Sequence, residues 1–325
     1  MKRRDAGMLI DFENCPESRR FYSGNAGCKV GVQWAGANWM LKFPQARLPQ
    51  AKFPQAGDLS QKAVTVPIAT PLAEYLGSRV YEMLGIPVHE TSLGIRGGKI
   101  VCACKDFTTN GLNLIEFHNL KNSLSDSEPG FHEPPSKGSG VILADVKTSL
   151  DRIPVLRAIP GMKERFWDMF VTDAFIHNAD RDNTNWGILS DGCRHYRLAP
   201  VYDNGSSFAN RRTETEIRQR LMDDDLLTQD AVDVRSRYTT DCGKPINPLE
   251  YMASGQDPEC NHALDRFMER YSPSGLTELL DSLPEHAFGL TVLPDGLREY
   301  YKRVMAYRYE RAFLPIWKAV APFVG

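Results

Sequence analysis

The 325-residue sequence contains no apolar run long enough to span a bilayer, and its basic start, MKRRDAGMLIDFEN, is not followed by an apolar stretch of signal-peptide length. A membrane span and classical export are therefore not expected. A cytoplasmic protein is, with secretion into a host cell left open. Neither charge is in excess: 39 Lys and Arg face 41 Asp and Glu, and a pI near 6.4 offers no basic face for counterion-driven binding. Direct contact with nucleic acid is not expected. Seven cysteines are an odd number with no CxxC pair among them, which argues against a zinc or redox site and fits a reducing compartment. Cys102 and Cys104, two apart in a strand-like stretch, are expected to share a face and pack in the interior. The sequence also lacks GxGxxG and Walker patterns.

What is present suits a globular chain: 42% hydrophobic and 25% charged residues, enough apolar material for a sizeable core in one large globule or two lobes. The first third alternates. Met8–Phe12 reads as a strand, and a turn-rich stretch with Gly24 and Gly27 leads to a second strand, Cys28–Trp34, with Cys28, Val30, Val32 and Trp34 on one face. Ala35–Ala37 turns the chain into a third strand, Asn38–Phe43, with Trp39, Leu41 and Phe43 on one face and Asn38, Met40 and Lys42 on the other. A tandem repeat, KFPQA-RLPQA-KFPQA, then runs from Lys42 to Ala56, and its proline at every fifth position excludes helix and ladder alike. Thr70 as N-cap and Pro71 as first residue announce a helix with a Leu72, Leu76, Val80, Leu84 stripe, Glu74 near its start and Gly85 as its stop. Two further strands, Glu90–Ile95 and Lys99–Cys104, meet at Arg96-Gly97-Gly98.

Beyond Asn110 helical patterns dominate, interrupted by a Pro/Gly/Ser-rich loop over Ser125–Gly140. A mostly buried helix, Met162–His177, delivers the chain to Asn178-Ala179-Asp180. Two short strands, Trp186–Leu189 and Arg194–Val201, end at Tyr202-Asp203-Asn204-Gly205, and an amphipathic segment from Leu297 to Val320 closes the chain. The expected architecture is α+β with two lobes: residues 1–110 as an antiparallel sheet with a helix, residues 111–325 mainly helical.

Phosphoryl transfer asks a protein for metal ligands that neutralise phosphate charge, a cation on the phosphates, and a carboxylate that orients the attacking hydroxyl. Asp180 opens DRDNTN, so Asn185 follows five residues later, and Asp203 comes after the intervening hairpin. These supply a catalytic carboxylate, an amide oxygen and a second carboxylate, and one Asp and one Asn with nucleotide oxygens suffice for magnesium, which prefers oxygen and retains water. An Asp with an Asn five residues on is weak evidence alone, since a capped turn gives the same spacing. The order of elements strengthens it: Gly-containing loop, strand with Lys42, helix with Glu74, hairpin, DxxxxN, Asp-x-Gly. Lys42 is expected on the phosphates with Glu74 holding its ammonium, although taken alone a strand lysine is usually a solvated surface residue and a glutamate early in a helix usually just favours the macrodipole. Gly24 and Gly27 would admit phosphate to backbone N–H groups or simply form a turn. Lys105-Asp106-Phe107 is the expected hinge, where adenine would meet the backbone.

The strings WMLKFP, CKDFTT, FWDMFVTDAFIHNADRDNTNWGIL and YRLAPVYDNGSS resemble the HipA-type serine/threonine kinases, nearest to the compact branch of that family. The resemblance spans Met8 to Phe208 and is most specific over Phe166–Ser207; the last hundred residues share helical character more than motif. It implies a protein-kinase-like fold, ATP and Mg2+, autophosphorylation, and a toxin role directed at a protein substrate such as a translation factor, restrained by an antitoxin partner. The additional N-terminal subdomain of larger HipA proteins is not expected here, because the first strand comes almost at once, and transfer of the usual antitoxin contact is therefore unsafe. Ser23 beside Gly24 is a candidate autophosphorylation site, because a phosphate there would repel those of ATP.

One residue departs from the family pattern. Asp182 stands two residues after Asp180, where the family has His, and two carboxylates so close repel unless a cation intervenes. Asp182 would then bind metal, pair with a basic group, or mark a weakened kinase. Two alternatives stay open at this point: a lipid or small-molecule kinase, which shares an Asp-Arg-x-x-x-Asn loop, and a pseudokinase that binds nucleotide without transfer.

Overall fold

The computed structural model describes residues 9–20, 22, 29–44, 69–123, 141–209 and 212–320. Most of the KFPQA repeat, the Ser125–Gly140 loop, Cys28, Ser23, Gly24 and Gly27 lie outside the described residues.

The first third folds into a five-stranded sheet from β1 (Ile10–Asp11), β2 (Lys29–Trp34), β3 (Ala37–Lys42), β4 (Thr91–Arg96) and β5 (Lys99–Lys105), in the order β1-β4-β5-β3-β2. Its pairings are antiparallel except at the edge, where β1 runs parallel to β4. The β2–β3 turn uses Ala35 and Gly36, both with positive φ (49° and 74°), the twist that matches two flanking strands in a tight hairpin. Both faces of the sheet are buried. Phe12, Val32, Trp39, Leu41, Val101 and Ala103 form a small core on one face. Cys102 and Cys104 alternate with Val101 and Ala103, so they point the other way, under α1 (Ala69–Met83), where both are buried.

Along α1 the Leu72, Leu76, Val80 stripe, continued by Leu84 just past its end, faces the core as its spacing demands, but Ala73, Glu74, Tyr75, Ser78 and Tyr81 are buried too, so the helix is enclosed on nearly every side. Thr70, expected as the N-cap, lies inside the helix, which already includes Ala69. Its far end is closed by backbone bonds from Gly85 N to Glu82 O and from Ile86 N to Tyr81 O, with Gly85 at φ 70°, the left-handed conformation glycine adopts freely.

The second part opens with β6 (Asn113–Glu116) and α2 (Phe117–Asn122), followed by α3 (Leu143–Arg152), α4 (Pro154–Ala158) and α5 (Met162–Ile176). β7 (Gly187–Ser190) and β8 (Tyr196–Leu198) complete an antiparallel sheet in the order β6-β7-β8. Seven more helices follow: α6 (Glu214–Met222), α7 (Asp224–Val232), α8 (Pro248–Ala253), α9 (Pro258–Arg270), α10 (Pro273–Ser282), α11 (Asp295–Arg308) and α12 (Leu314–Val320). The last two cover the amphipathic segment expected over Leu297–Val320, and a π-turn over Tyr309–Phe313 separates them. Just before it, the buried Arg308 donates to the carbonyls of Phe175, Asp230 and Ala231, capping the ends of α5 and α7. α5 is buried along nearly its whole length and packs on α9. No helix among the described residues is long and apolar enough to cross a membrane.

Two short bonds join the two parts beside the site. His89 N donates to Val201 O and Val201 N donates to Pro87 O, both at 2.9 Å, so the segment entering β4 is zipped to the segment that leads to Asp203.

Candidate active site

An open cleft with a cavity volume of about 270 Å³ runs between the sheet and the helical part. Lys42 reaches it from β3. Its neighbour across the ladder is Cys102, so its side chain leaves the sheet on the α1 face. There Lys42 Nζ lies 2.7 Å from Glu74 Oε2 and 2.6 Å from Asp203 Oδ1. Burial opposes the ammonium charge, but Asp203 and Glu74 outweigh it and hold the Lys42 pKa well above the ordinary lysine value. Burial likewise opposes the Glu74 charge, and Lys42 and His89 together overcome it, keeping that carboxyl well below its usual range. Lys42 depresses Asp203 in the same way. The side chain of Asp203 is 39% exposed, turned toward the cleft, on a backbone with φ 62°.

Asn185 lines the same cleft, and its Nδ2 donates to Asp180 O at 2.8 Å, which leaves its amide oxygen as the ligand-type atom. Asp180 does not line the cleft. It stands at an exposed edge, with Oδ1 3.7 Å from Arg237 Nε. Asp182 Oδ1 accepts from Thr184 N at 2.8 Å and from Thr184 Oγ1 at 2.6 Å, a local turn that fixes the loop between Asp180 and Asn185.

Lys105, Asp106 and Phe107 all line the cleft. The N–H groups of Lys105 and Asp106 donate to Glu90 O and Asn38 O at 2.8 and 2.9 Å and so belong to the sheet. Side-chain identity matters at Asp106 more than a hinge position suggests. Its carboxylate accepts from Thr108 N and Oγ1, from Arg20 and from Tyr22 Oη, tying the hinge to the segment that precedes Gly24. Burial opposes its charge, and the Thr108 and Arg20 bonds hold its pKa below the ordinary value all the same. Phe107 packs against Tyr202, with ring centroids 5.6 Å apart.

Several residues of the site escape a reading by motif. Lys29 sits directly opposite Lys42 in the β2–β3 register and lines the cleft; counting outward from the hairpin turn was the available signal. Arg181 lies inside DRDNTN, and its guanidinium donates to Asp173, Asn185 O, Tyr202 O and Asn204 Oδ1. His89, Glu74 and Cys104 bring ligand-type atoms within 4.8 Å of one another. Lys42 and His89 already occupy the two oxygens of Glu74, so this group is the buried end of the ion-pair network. Nothing in the local sequence marks His89.

No family model matches the chain. The serine/threonine-protein kinase CtkA of Helicobacter pylori is 29% identical over 278 residues, 85% of this chain and 79% of that protein. The crystal structure of an H. pylori proinflammatory kinase CtkA superposes with a TM-score of 0.81 at 25% identity, over 97% of this chain and all of that one. The HipA of Shewanella oneidensis, solved with HipB and operator DNA, shares the fold at a TM-score of 0.55 and 12% identity, over 98% of this chain and 76% of that one. The chain is thus similar in sequence over most of its length, and in fold over nearly all of it, to a serine/threonine protein kinase, and it shares the fold of HipA.

Proposed function

We propose that the protein transfers the γ-phosphoryl group of ATP, with Mg2+, to a serine or threonine hydroxyl of a protein, its own chain included. The observation that carries this reading is the buried Lys42 shared between Glu74 and Asp203 at the wall of the cleft. In this reading Lys42 takes a nucleotide phosphate, and the base lies against Phe107 and the hinge carbonyls. Asn185 Oδ1 and the Asp203 carboxylate fit magnesium, since they are hard oxygen donors in one cleft with room for water and phosphate oxygens. When bound, the metal neutralises phosphate charge. Asp180 receives the proton of the acceptor hydroxyl as its oxygen bonds to the γ-phosphorus and the bond to the β-phosphate oxygen breaks.

The near balance of charge supports a protein acceptor over a nucleic acid. Likeness to the HipA of a toxin–antitoxin system supports the finer proposal of a toxin role, directed at a factor of the translation machinery and restrained by an antitoxin partner; the place of Ser23 beside Gly24 supports it as an inhibitory autophosphorylation site, since a phosphate there would repel those of ATP. In this reading the protein acts in the cytoplasm, with secretion into a host cell as the alternative.

The test is transfer of labelled γ-phosphate from Mg-ATP to the purified chain and to a cell lysate. Asp180→Ala is expected to lower transfer by ~10²–10⁴-fold, the usual worth of a positioned base. Lys42→Met should lose at least as much. Full transfer by both variants would remove the assignment of these residues, and absence of transfer by the wild type despite ATP binding would remove the activity.

A further inference from the structure

Asp203 and Asn204 are chain neighbours, and a ring of side chains closes on them. Asp203 Oδ1 meets Lys42 Nζ at 2.6 Å, and Lys42 Nζ meets Glu74 Oε2 at 2.7 Å. The other oxygen of Glu74 lies 2.9 Å from His89 Nε2, which is also 3.2 Å from Ser78 Oγ. Ser78 Oγ accepts from Asn204 Nδ2 at 3.1 Å, and the ring returns to its start. Of the six residues only Asp203 reaches solvent to any extent. In so dry an environment each bond is stronger than in water and each lost partner costs more.

A carboxylate only accepts, so a proton on Nε2 of His89 is what makes its 2.9 Å approach to Glu74 Oε1 favourable, although the geometry aims the ring nitrogen at Ser78 Oγ and leaves Oε1 without a well-aligned hydrogen bond. Glu74 therefore presents a single oxygen, Oε2, to Lys42. Deprived of His89, both oxygens would be available to the ammonium, and Lys42 would be drawn toward α1 and away from the cleft. The backbone of His89 is bonded to Val201, two residues before Asp203. The imidazole that orients Glu74 and the segment that delivers Asp203 are thus one mechanical unit.

We propose that His89 is a positioning residue of the phosphate site, fixing Glu74 so that Lys42 is held by one oxygen and coupling the Lys42–Glu74 pair to the Asp203 segment. The inference rests on the reading of Lys42 as the phosphate-binding lysine. It predicts that His89 acts through Glu74, which a purely structural histidine would not.

Steady-state transfer by the full chain tests this with His89→Leu, His89→Gln, His89→Asn and Glu74→Gln, alone and combined. His89→Leu is expected to lower kcat by ~10–100-fold with a much smaller change in KM for ATP, the sign of an interaction that matters in the transition state. His89→Gln places an amide N–H near the Nε2 position and is expected to stay within about threefold of wild type, while the shorter His89→Asn is impaired. In the Glu74→Gln background His89→Leu should cost less than about twofold more, because coupled residues are not additive. Equal cost of His89→Leu in both backgrounds overturns the proposal. So does a His89→Gln protein as impaired as His89→Asn, a comparison that stands even where His89→Leu does not fold. Lys42→Met that transfers normally refutes the underlying site reading; Lys42→Met inactive with His89→Leu fully active refutes only the role of His89.

Discussion

Arg181 Nε donates to Asp173 Oδ2 at 2.7 Å, between side chains only 3% and 7% exposed. The same guanidinium holds Asn185 O at 2.9 Å and Asn204 Oδ1 at 2.6 Å, so one cation anchors the end of α5, the loop after Asp180 and the Asp203 segment. Burial opposes the Arg181 charge, and Asp173 overcomes it. Arg181→Met would leave the buried Asp173 without its cation, with Tyr81 and Asn178 as neutral donors, and removing one partner of such a pair costs ~3–5 kcal/mol. Urea unfolding is expected to show a loss of this size together with loss of transfer. Arg181→Lys keeps the charge without the fork and should fall between. A stability loss below about 1 kcal/mol for Arg181→Met, the range of a surface pair, would contradict the anchor.

The Asp182 carboxylate is a turn-former for Thr184, so its acceptor oxygen matters more than its charge. Asp182→Asn keeps that oxygen and should retain transfer within about threefold, whereas Asp182→Ala should cost ~1 kcal/mol in stability, the usual worth of a side-chain cap, and at least tenfold in rate. Asp182→His, the family residue, also removes the cap and should behave like Ala. A gain of transfer in Asp182→His would mean that the departure weakens the enzyme.

Gly77 sits where α1 touches the Asp203 segment. A Cβ added there would lie 2.8 Å from Asn204 Cβ and 3.1 Å from Ser207 Oγ. Gly77→Ala therefore destabilises by ~1–3 kcal/mol through overpacking, despite the better helix propensity of alanine. Gly296 of α11 has nothing within 4 Å of the added atom, and Gly296→Ala should stabilise by ~0.5–1 kcal/mol. Thermal melts of the two variants should move in opposite directions, and a shared sign would refute the steric account.

His177 caps α5 at φ 54°, and burial, reinforced by Arg308, pulls its pKa down to about 3. The unfolded chain, near the ordinary value of about 6.5, takes the proton first, so stability is full above that pH and declines as pH falls toward the folded value. Between pH 7 and pH 5 this accounts for ~1–2 kcal/mol. His177→Asn tolerates the left-handed backbone and does not titrate, so its unfolding free energy should change less over that interval by this amount. The same pH dependence in both proteins would assign it to other groups.

Much of the site was legible before folding. Strand alternation put Lys42 opposite Trp39 and Leu41, helical spacing set Glu74 within a helix, and DRDNTN with YDNG fixed the order of Asp180, Asn185 and Asp203. Element boundaries came out a residue or two away from those expected, as at Thr70, because helix ends depend on partners for their free N–H and C=O groups. Partnerships between distant segments were not legible. The parallel edge pairing of β1 with β4, the convergence of Arg181 on three segments, and the contact of His89 with Glu74 all arise from packing between elements. By itself the sequence determined which side chains could serve a phosphate site and in what order they occur, since periodicity and motif are local properties of the chain. Only the tertiary structure decided which buried polar group satisfies which other, because burial obliges each to find a partner without specifying one.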